Sequence, residues 1–170
     1  MRATIATLAA AGVLLGAPTA PVFAQPADLT PEAMAAHLAE VGSWRFETRD
    51  KRADGTPVCA EVWRFAADGT ARVESGKERV TKRWRTETKD GDHWLYTTSL
   101  GTNGAPDCMG NQSDPADYPQ DESGFVLMFF NSGIALTCEP PATIDGPDGK
   151  PVRFVSDASC WGSLAPLPKG

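Results

Sequence analysis

The stretch Gly42-Ser43-Trp44-Arg45-Phe46-Glu47-Thr48-Arg49 is the point at which the residue pattern changes from helical to extended. Within it, Trp44, Phe46 and Thr48 alternate with three charged residues. A period of two is typical of a strand with one buried face and one solvated face. We therefore expect a β-strand over 43–49 that places Trp44 and Phe46 in a core.

The segment before this strand has the signals of a short helix. Thr30 is a typical N-cap residue, and Pro31 suits the first helical position because that position needs no N–H donor. Apolar residues recur at helical spacing as far as Val41, and Gly42 is suited to end the helix. The sequence thus predicts one N-terminal helix that runs into the first strand.

Further strands follow, separated by Asp-Gly pairs of the kind that reverse a chain with positive φ. We expect strands over 43–49, 57–65, 70–75, 79–88, 93–99, 124–130, 133–138 and 151–157. The fold class is therefore all-β: an antiparallel meander of about eight strands that closes into a barrel or stacks as a sandwich. Residues 101–123 are rich in Gly, Pro, Asn, Asp and Ser, and we expect them to form a long loop that is functional or partly disordered.

The first 24 residues resemble a secretory signal. Arg2 precedes an uncharged run over 3–17, and the small residue Ala24 favours cleavage before Gln25. The apolar run is shorter than the roughly 20 residues that span a bilayer, so we expect no membrane span. The expected organisation is a cleaved signal peptide over 1–24 and a single disulfide-bonded domain over 25–170, located in a periplasm or secreted.

Charge and cysteine content narrow the function classes. The net charge is −6, or −7 after loss of Arg2, which disfavours nucleic-acid binding because phosphate partners require a basic face. Four cysteines in an oxidising compartment predict two disulfides and no free thiol. Of the three pairings we favour Cys59 with Cys108 and Cys138 with Cys160, because the second pair flanks the turn-forming run 145–149 almost symmetrically.

The tripeptide Gly42-Ser43-Trp44, opening the first strand directly after a short helix, resembles the start of the lipocalins and their calycin relatives. The resemblance implies an eight-stranded antiparallel barrel closed at one end by the helix. It also implies that Trp44 packs across that end, with Arg153 as the candidate for the arginine that stacks on it.

The chain is also similar to the small periplasmic inhibitors of bacterial secreted metalloproteases. The similar features are the same tripeptide, Cys59 on the second strand, and Gly133-Ile134-Ala135-Leu136 before Asp148-Gly149. In that family the mature N-terminus, here 25–29, enters the protease cleft.

Catalytic and metal-binding patterns are weak. The two histidines, His37 and His93, accompany no nucleophile motif, although His93 follows Asp92. The acidic residues over 107–122 do not have EF-hand spacing. We therefore expect no enzymatic activity, no cofactor and no metal.

Aromatic residues on alternating positions are the candidates for ligand binding. They either fill a barrel core or line a pocket for an apolar ligand, and the sequence does not separate these alternatives. The candidate ligand-binding residues are Trp63, Trp84, Trp94, Tyr96 and Phe129.

A basic stripe offers a second surface, either the wet face of a strand or a docking site for an acidic partner. It consists of Lys77, Arg79, Lys82, Arg83, Arg85 and Lys89. The function we expect is a non-enzymatic, monomeric, lipocalin-like barrel that binds a small apolar ligand or a protein partner. The alternative is a periplasmic inhibitor of a secreted metalloprotease.

Overall fold

A computed structural model describes residues 29–145, 148, 150–154 and 157–168. The expected signal peptide and the mature N-terminus up to residue 28 lie outside this part of the chain, as does the side chain of Arg153.

One helix and ten strands make up the described fold, together with two short 3₁₀ helices, Pro115–Asp117 and Asp157–Ser159. The helix is α1 (Pro31–Val41). The strands are β1 (Ser43–Thr48), β2 (Ala60–Phe65), β3 (Thr70–Ser75), β4 (Glu78–Lys89), β5 (Asp92–Thr102), β6 (Ser123–Phe129), β7 (Ala135–Cys138), β8 (Ala142–Asp145), β9 (Pro151–Phe154) and β10 (Cys160–Pro166).

Eight of these strands form a closed antiparallel barrel in the order β1-β10-β7-β6-β5-β4-β3-β2. The all-β class, the barrel and the single short helix are confirmed. Closure leaves no free edge among these strands, because β1 pairs with both β2 and β10.

Helix α1 closes one end of the barrel with the caps that the sequence predicted. The Oγ1 of Thr30 accepts a hydrogen bond from the backbone N–H of Ala33 at 3.2 Å, and Gly42 ends the helix with φ of 76°. Met34 and Leu38 are fully buried, so the apolar side of α1 covers the barrel interior.

The last barrel strand differs from the prediction. Residues 151–154 do form a strand, but β9 pairs with β8 in a separate two-stranded sheet. The barrel is closed instead by β10, which was hard to predict because Gly162 and Pro166 are poor strand formers. Pairing with β1 on one side and β7 on the other overrides that local preference.

Both predicted disulfides are present. Cys138 on β7 lies directly opposite Cys160 on β10, so this bond joins two paired strands. Cys59, just before β2, is bonded to Cys108 in the long loop between β5 and β6. The described residues include no free cysteine.

Candidate functional site

The five aromatic residues predicted to bind a ligand lie on two sides of the barrel wall. Trp63, Trp84 and Phe129 are buried in the interior. Trp94 and Tyr96 flank the buried Leu95 on β5, so they point outward, where their rings stack at 5.7 Å. The five side chains therefore do not share one cavity, and their role in ligand binding stays a prediction.

The barrel interior is filled by aromatic side chains in mutual contact. Ring centroids lie 5.1 Å apart for Phe65 and Trp84, 5.9 Å for Trp63 and Phe65, and 6.3 Å for Trp63 and Phe125. Phe125 in turn lies 5.5 Å from Trp161 on β10. These separations fall within the range of favourable aromatic pairs, so the residues form one packed layer.

A polar layer lies between the aromatic layer and the end of the barrel opposite α1. The Nε1 of Trp63 donates to Glu61 at 2.7 Å, and the Nζ of Lys82 donates to the Oγ of Ser99 at 2.8 Å. Lys82 also lies 5.7 Å from the Trp63 ring. Burial lowers the pKa of Lys82, while the carboxylates of Glu61 and Glu78 oppose that shift.

The loop that carries Cys108 covers this polar layer. The backbone N–H of Cys108 donates to the Oγ of Ser75 at 3.2 Å. A Cβ at Gly76 would lie only 2.7 Å from the backbone of Asp107, so the loop approaches the β3–β4 turn too closely for a side chain there. The barrel is thus covered at both ends, by α1 and by the loop bonded to Cys59.

Three potential ligand atoms of a metal meet beside this disulfide. The sulfur atoms of Cys59 and Cys108 and a carboxylate oxygen of Glu61 lie within 4.8 Å of one another. Because both sulfur atoms belong to a disulfide, neither is the thiolate that metal coordination requires. The arrangement does not fit a metal site in this state.

The two histidines lie in packed surroundings. His37 on α1 makes edge-on contacts with Trp44 and Phe129, at centroid distances of 5.5 and 5.8 Å. His93 is buried, and burial lowers its pKa against the opposing effect of Asp92. The hydroxyl of Thr88 lies 3.5 Å from Nδ1 of His93.

Several acidic side chains of the long loop bond to the chain itself. Asp107 accepts hydrogen bonds from the backbone N–H groups of Met109 and Asn111, each at 2.8 Å. Asp114 caps the 3₁₀ helix by accepting from Ala116 at 2.9 Å. Asp107 and Asp114 therefore have a structural role in the loop that does not depend on calcium binding.

The outer surface of β1–β4 carries a concentrated positive charge, which we call the arginine face. Alternation along each strand turns these side chains away from the core, and all five are exposed. The arginine face consists of Arg45, Arg64, Arg72, Arg79 and Arg83.

Two glutamates partly neutralise the arginine face. Glu74 lies 2.7 Å from Arg64 and 3.7 Å from Arg79, and Glu47 lies 2.7 Å from Arg45. Five arginines and two glutamates leave three positive charges uncompensated. The remaining two arginines, at positions 72 and 83, make no ion pair with any part of the chain that the structure describes.

The residues of the basic stripe predicted from the sequence do not all lie on one exposed surface. Lys82 points into the barrel, and Arg85 is held by Glu87, Glu122 and the ring of Tyr96, 4.0 Å from its guanidinium carbon. Hydrogen bonds from Arg85 lower the pKa of Glu122.

Sequence reasoning missed the other part of the arginine face. Arg45, Arg64 and Arg72 lie on three different strands and become neighbours only through strand pairing. The available signal was their position between buried residues on each strand, as with Arg64 between Trp63 and Phe65.

No protein-family model matches this chain, no curated protein is significantly similar to it, and no solved structure matches it significantly. The likeness of Gly42-Ser43-Trp44 to a family pattern therefore stays a prediction, while the closed eight-stranded barrel stands on its own. Within the described ranges, no helix has the length and apolar character needed to cross a bilayer.

Proposed function

We propose that this protein is a non-enzymatic binding module that docks another protein on the outer wall of its barrel, in a periplasm or outside the cell. The observation that carries the proposal is the contrast between a packed interior and an outer face with uncompensated charge. The aromatic layer leaves its rings in mutual contact, whereas the arginine face is exposed.

Carriage of an apolar ligand inside the barrel is supported less well. Pockets for small molecules are usually preformed and measure about 300–1,000 Å³. One cavity in this size range, of about 480 Å³, lies on the outer wall and adjoining loop and not inside the barrel. Arg45 and Arg52 are among the residues that line it. A ligand inside the barrel would have to displace Trp63 or Phe125 from their ring contacts.

The proposed location rests on the disulfides and the leader-like residues 1–24. Disulfides persist in oxidising compartments and are rare in reducing ones. Two of them join the described cysteines, which is compatible with export.

Inhibition of a secreted metalloprotease is a specific form of the same proposal, since an inhibitor is also a protein-binding module. The packed interior favours inhibition over ligand carriage. The segment that would enter the protease cleft lies almost wholly outside the described residues.

Two measurements test the proposal. Tryptophan fluorescence is titrated with an apolar probe such as a fatty alcohol. A photoreactive phenylalanine replaces Thr81, an exposed residue directly opposite Arg72 that leaves all five arginines in place, or, as a control, Lys150. We expect no saturable response to the probe, and a discrete protein adduct in the producing cell from position 81 but not from position 150. Saturable quenching without an adduct would replace docking with ligand carriage.

A further inference from the structure

We infer that the arginine face binds a short, extended, acidic segment of a protein partner. This inference rests on the proposed function and adds the chemistry of the partner, which carries several Asp or Glu side chains. It draws on the charges, the strand register and the shape of the outer wall.

Two arginines of the face occupy directly opposed positions on neighbouring strands. Arg64 on β2 lies directly opposite Arg72 on β3. Like charges at directly opposed positions destabilise an antiparallel pair. Arg64 has Glu74 as a partner at 2.7 Å, but Arg72 makes no ion pair with the described residues. A carboxylate of a partner placed between the two guanidinium groups would relieve this repulsion.

All five cations of the face are arginines. The guanidinium group presents a planar fork of donors that matches a carboxylate in a bidentate manner, and such charge-assisted pairs are stronger than neutral hydrogen bonds. One guanidinium nitrogen of Arg79, Nη1, already donates hydrogen bonds to the backbone oxygens of Gly76 and Glu78. Arg72 and Arg83 make no such contact with the described residues, so their guanidinium groups are the main positions for new carboxylate pairs.

Three shallow cavities on this wall and the adjoining loops share lining residues and therefore adjoin one another. The first, of about 250 Å³, is lined by Arg72 and Arg79 and shares Glu74 with a second of about 290 Å³. The second shares Arg45 and Gly76 with the cavity of about 480 Å³. Crossing four strands covers roughly 14 Å, a length that about five extended residues span.

The surroundings favour a short polypeptide over a membrane or a long polyanion. The exposed large apolar side chains of the described chain are Leu100, Met109, Ile134 and Trp161, and β1–β4 contribute none of them to insert into lipid. Glu47 and Glu74 lie among the arginines and would repel a continuous layer of phosphates. The whole chain carries −6, so a polyanion extending past this face would meet repulsion.

The test uses a fluorescent ten-residue peptide of alternating Glu and Ser, with alternating Gln and Ser as the neutral control, measured by anisotropy. The variant Arg72→Gln/Arg83→Gln removes the two arginines without ion pairs. The matched control, Lys89→Gln/Lys150→Gln, removes the same charge at exposed positions outside the arginine face. Circular dichroism melts verify that both variants are folded.

We expect saturable binding of the Glu peptide, at least tenfold weaker in the arginine variant and changed less than twofold in the lysine control, and weaker in high salt. Equal weakening in both variants, or equal binding of the Gln peptide, would overturn the inference. Tighter binding to phosphatidylglycerol vesicles than to the peptide would also overturn it, as would peptide-independent self-association in sedimentation. None of these outcomes alters the photo-crosslinking result, so the inference can fail while docking on the outer wall stands.

Discussion

The indole Nε1 of Trp44 donates a hydrogen bond to the backbone oxygen of Leu38 at 3.0 Å, joining the first strand to the helix that closes the barrel. Both residues are fully buried. The same oxygen also accepts from the backbone N–H of Gly42, which ends α1. Trp44 therefore fixes the angle at which the chain passes from α1 into β1.

Truncation of Trp44 should strongly destabilise the fold. Trp44→Ala removes a fully buried side chain, and we expect a loss of about 3–5 kcal/mol in the free energy of unfolding, measured by urea denaturation. Trp44→Phe keeps a ring but loses the donor, so its loss should be smaller. A Trp44→Ala variant with the same free energy of unfolding as the wild type would contradict the role of this residue in closing the barrel end.

The two disulfides should contribute unequally to stability. Cys59–Cys108 closes a span of 49 residues and Cys138–Cys160 one of 22. In the chain-entropy model each disulfide contributes about 3–4 kcal/mol to the free energy of unfolding. The bond that closes the longer loop contributes about 0.7 kcal/mol more than the other. Paired Cys→Ser variants of each bond, compared by urea denaturation, measure the difference. A larger loss from the shorter span would contradict the entropic account.

The sequence was sufficient for features that depend on local chemistry. The helix between Thr30 and Gly42 was predictable because its caps are short-range signals, and the strand of Trp44 and Phe46 because alternation follows from burial on one face. Pairing of Cys138 with Cys160 followed from their positions around a turn. Each of these inferences needs only residues close together in sequence.

Features created by long-range pairing were not predictable. β10 closes the barrel despite a Gly- and Pro-containing sequence, because strands from both ends of the chain flank it. The opposition of Arg64 and Arg72 depends on the β2–β3 register, which composition does not specify. For the same reason, the outward direction of Trp94 and Tyr96 depends on which side of β5 faces the core.

The free energy of unfolding should rise with pH near 10, because the ammonium group of Lys82 is buried. Its pKa is lowered by burial below the value of about 10.4 for an unfolded chain. Between these two values the unfolded chain binds a proton that the folded chain has released, so stability rises with pH. We therefore expect the free energy of unfolding of the wild type to rise relative to that of Lys82→Met as the pH approaches the pKa of lysine in the unfolded chain. Urea denaturation at a series of pH values measures the difference. Lys89→Met, at an exposed position of β4, is the control, and an equal relative gain there would contradict the assignment.

Gly162 on β10 should not tolerate a side chain. A Cβ at this position would overlap the ring of Phe46 and lie 2.8 Å from the backbone oxygen of Glu47. We expect Gly162→Ala to destabilise the protein by about 1–3 kcal/mol, as overpacking does. Gly101→Ala is the matched control, because its Cβ would meet no atom within 4 Å. Equal thermal shifts for the two variants would contradict the close approach of β10 to Phe46.

The inhibitor form of the proposed function can be separated from docking on the arginine face by deleting residues 25–28. The deletion stops before Leu29, because Leu29 packs against the core cluster at the α1 end and its loss would confuse stability with function. We expect an unchanged Tm, since the described core contacts are retained. If the protein inhibits a secreted metalloprotease of its own organism through its N-terminus, the deletion abolishes inhibition while Arg72→Gln/Arg83→Gln preserves it. The reverse pattern would assign the protease contact to the arginine face, and full inhibition by both variants would exclude both surfaces.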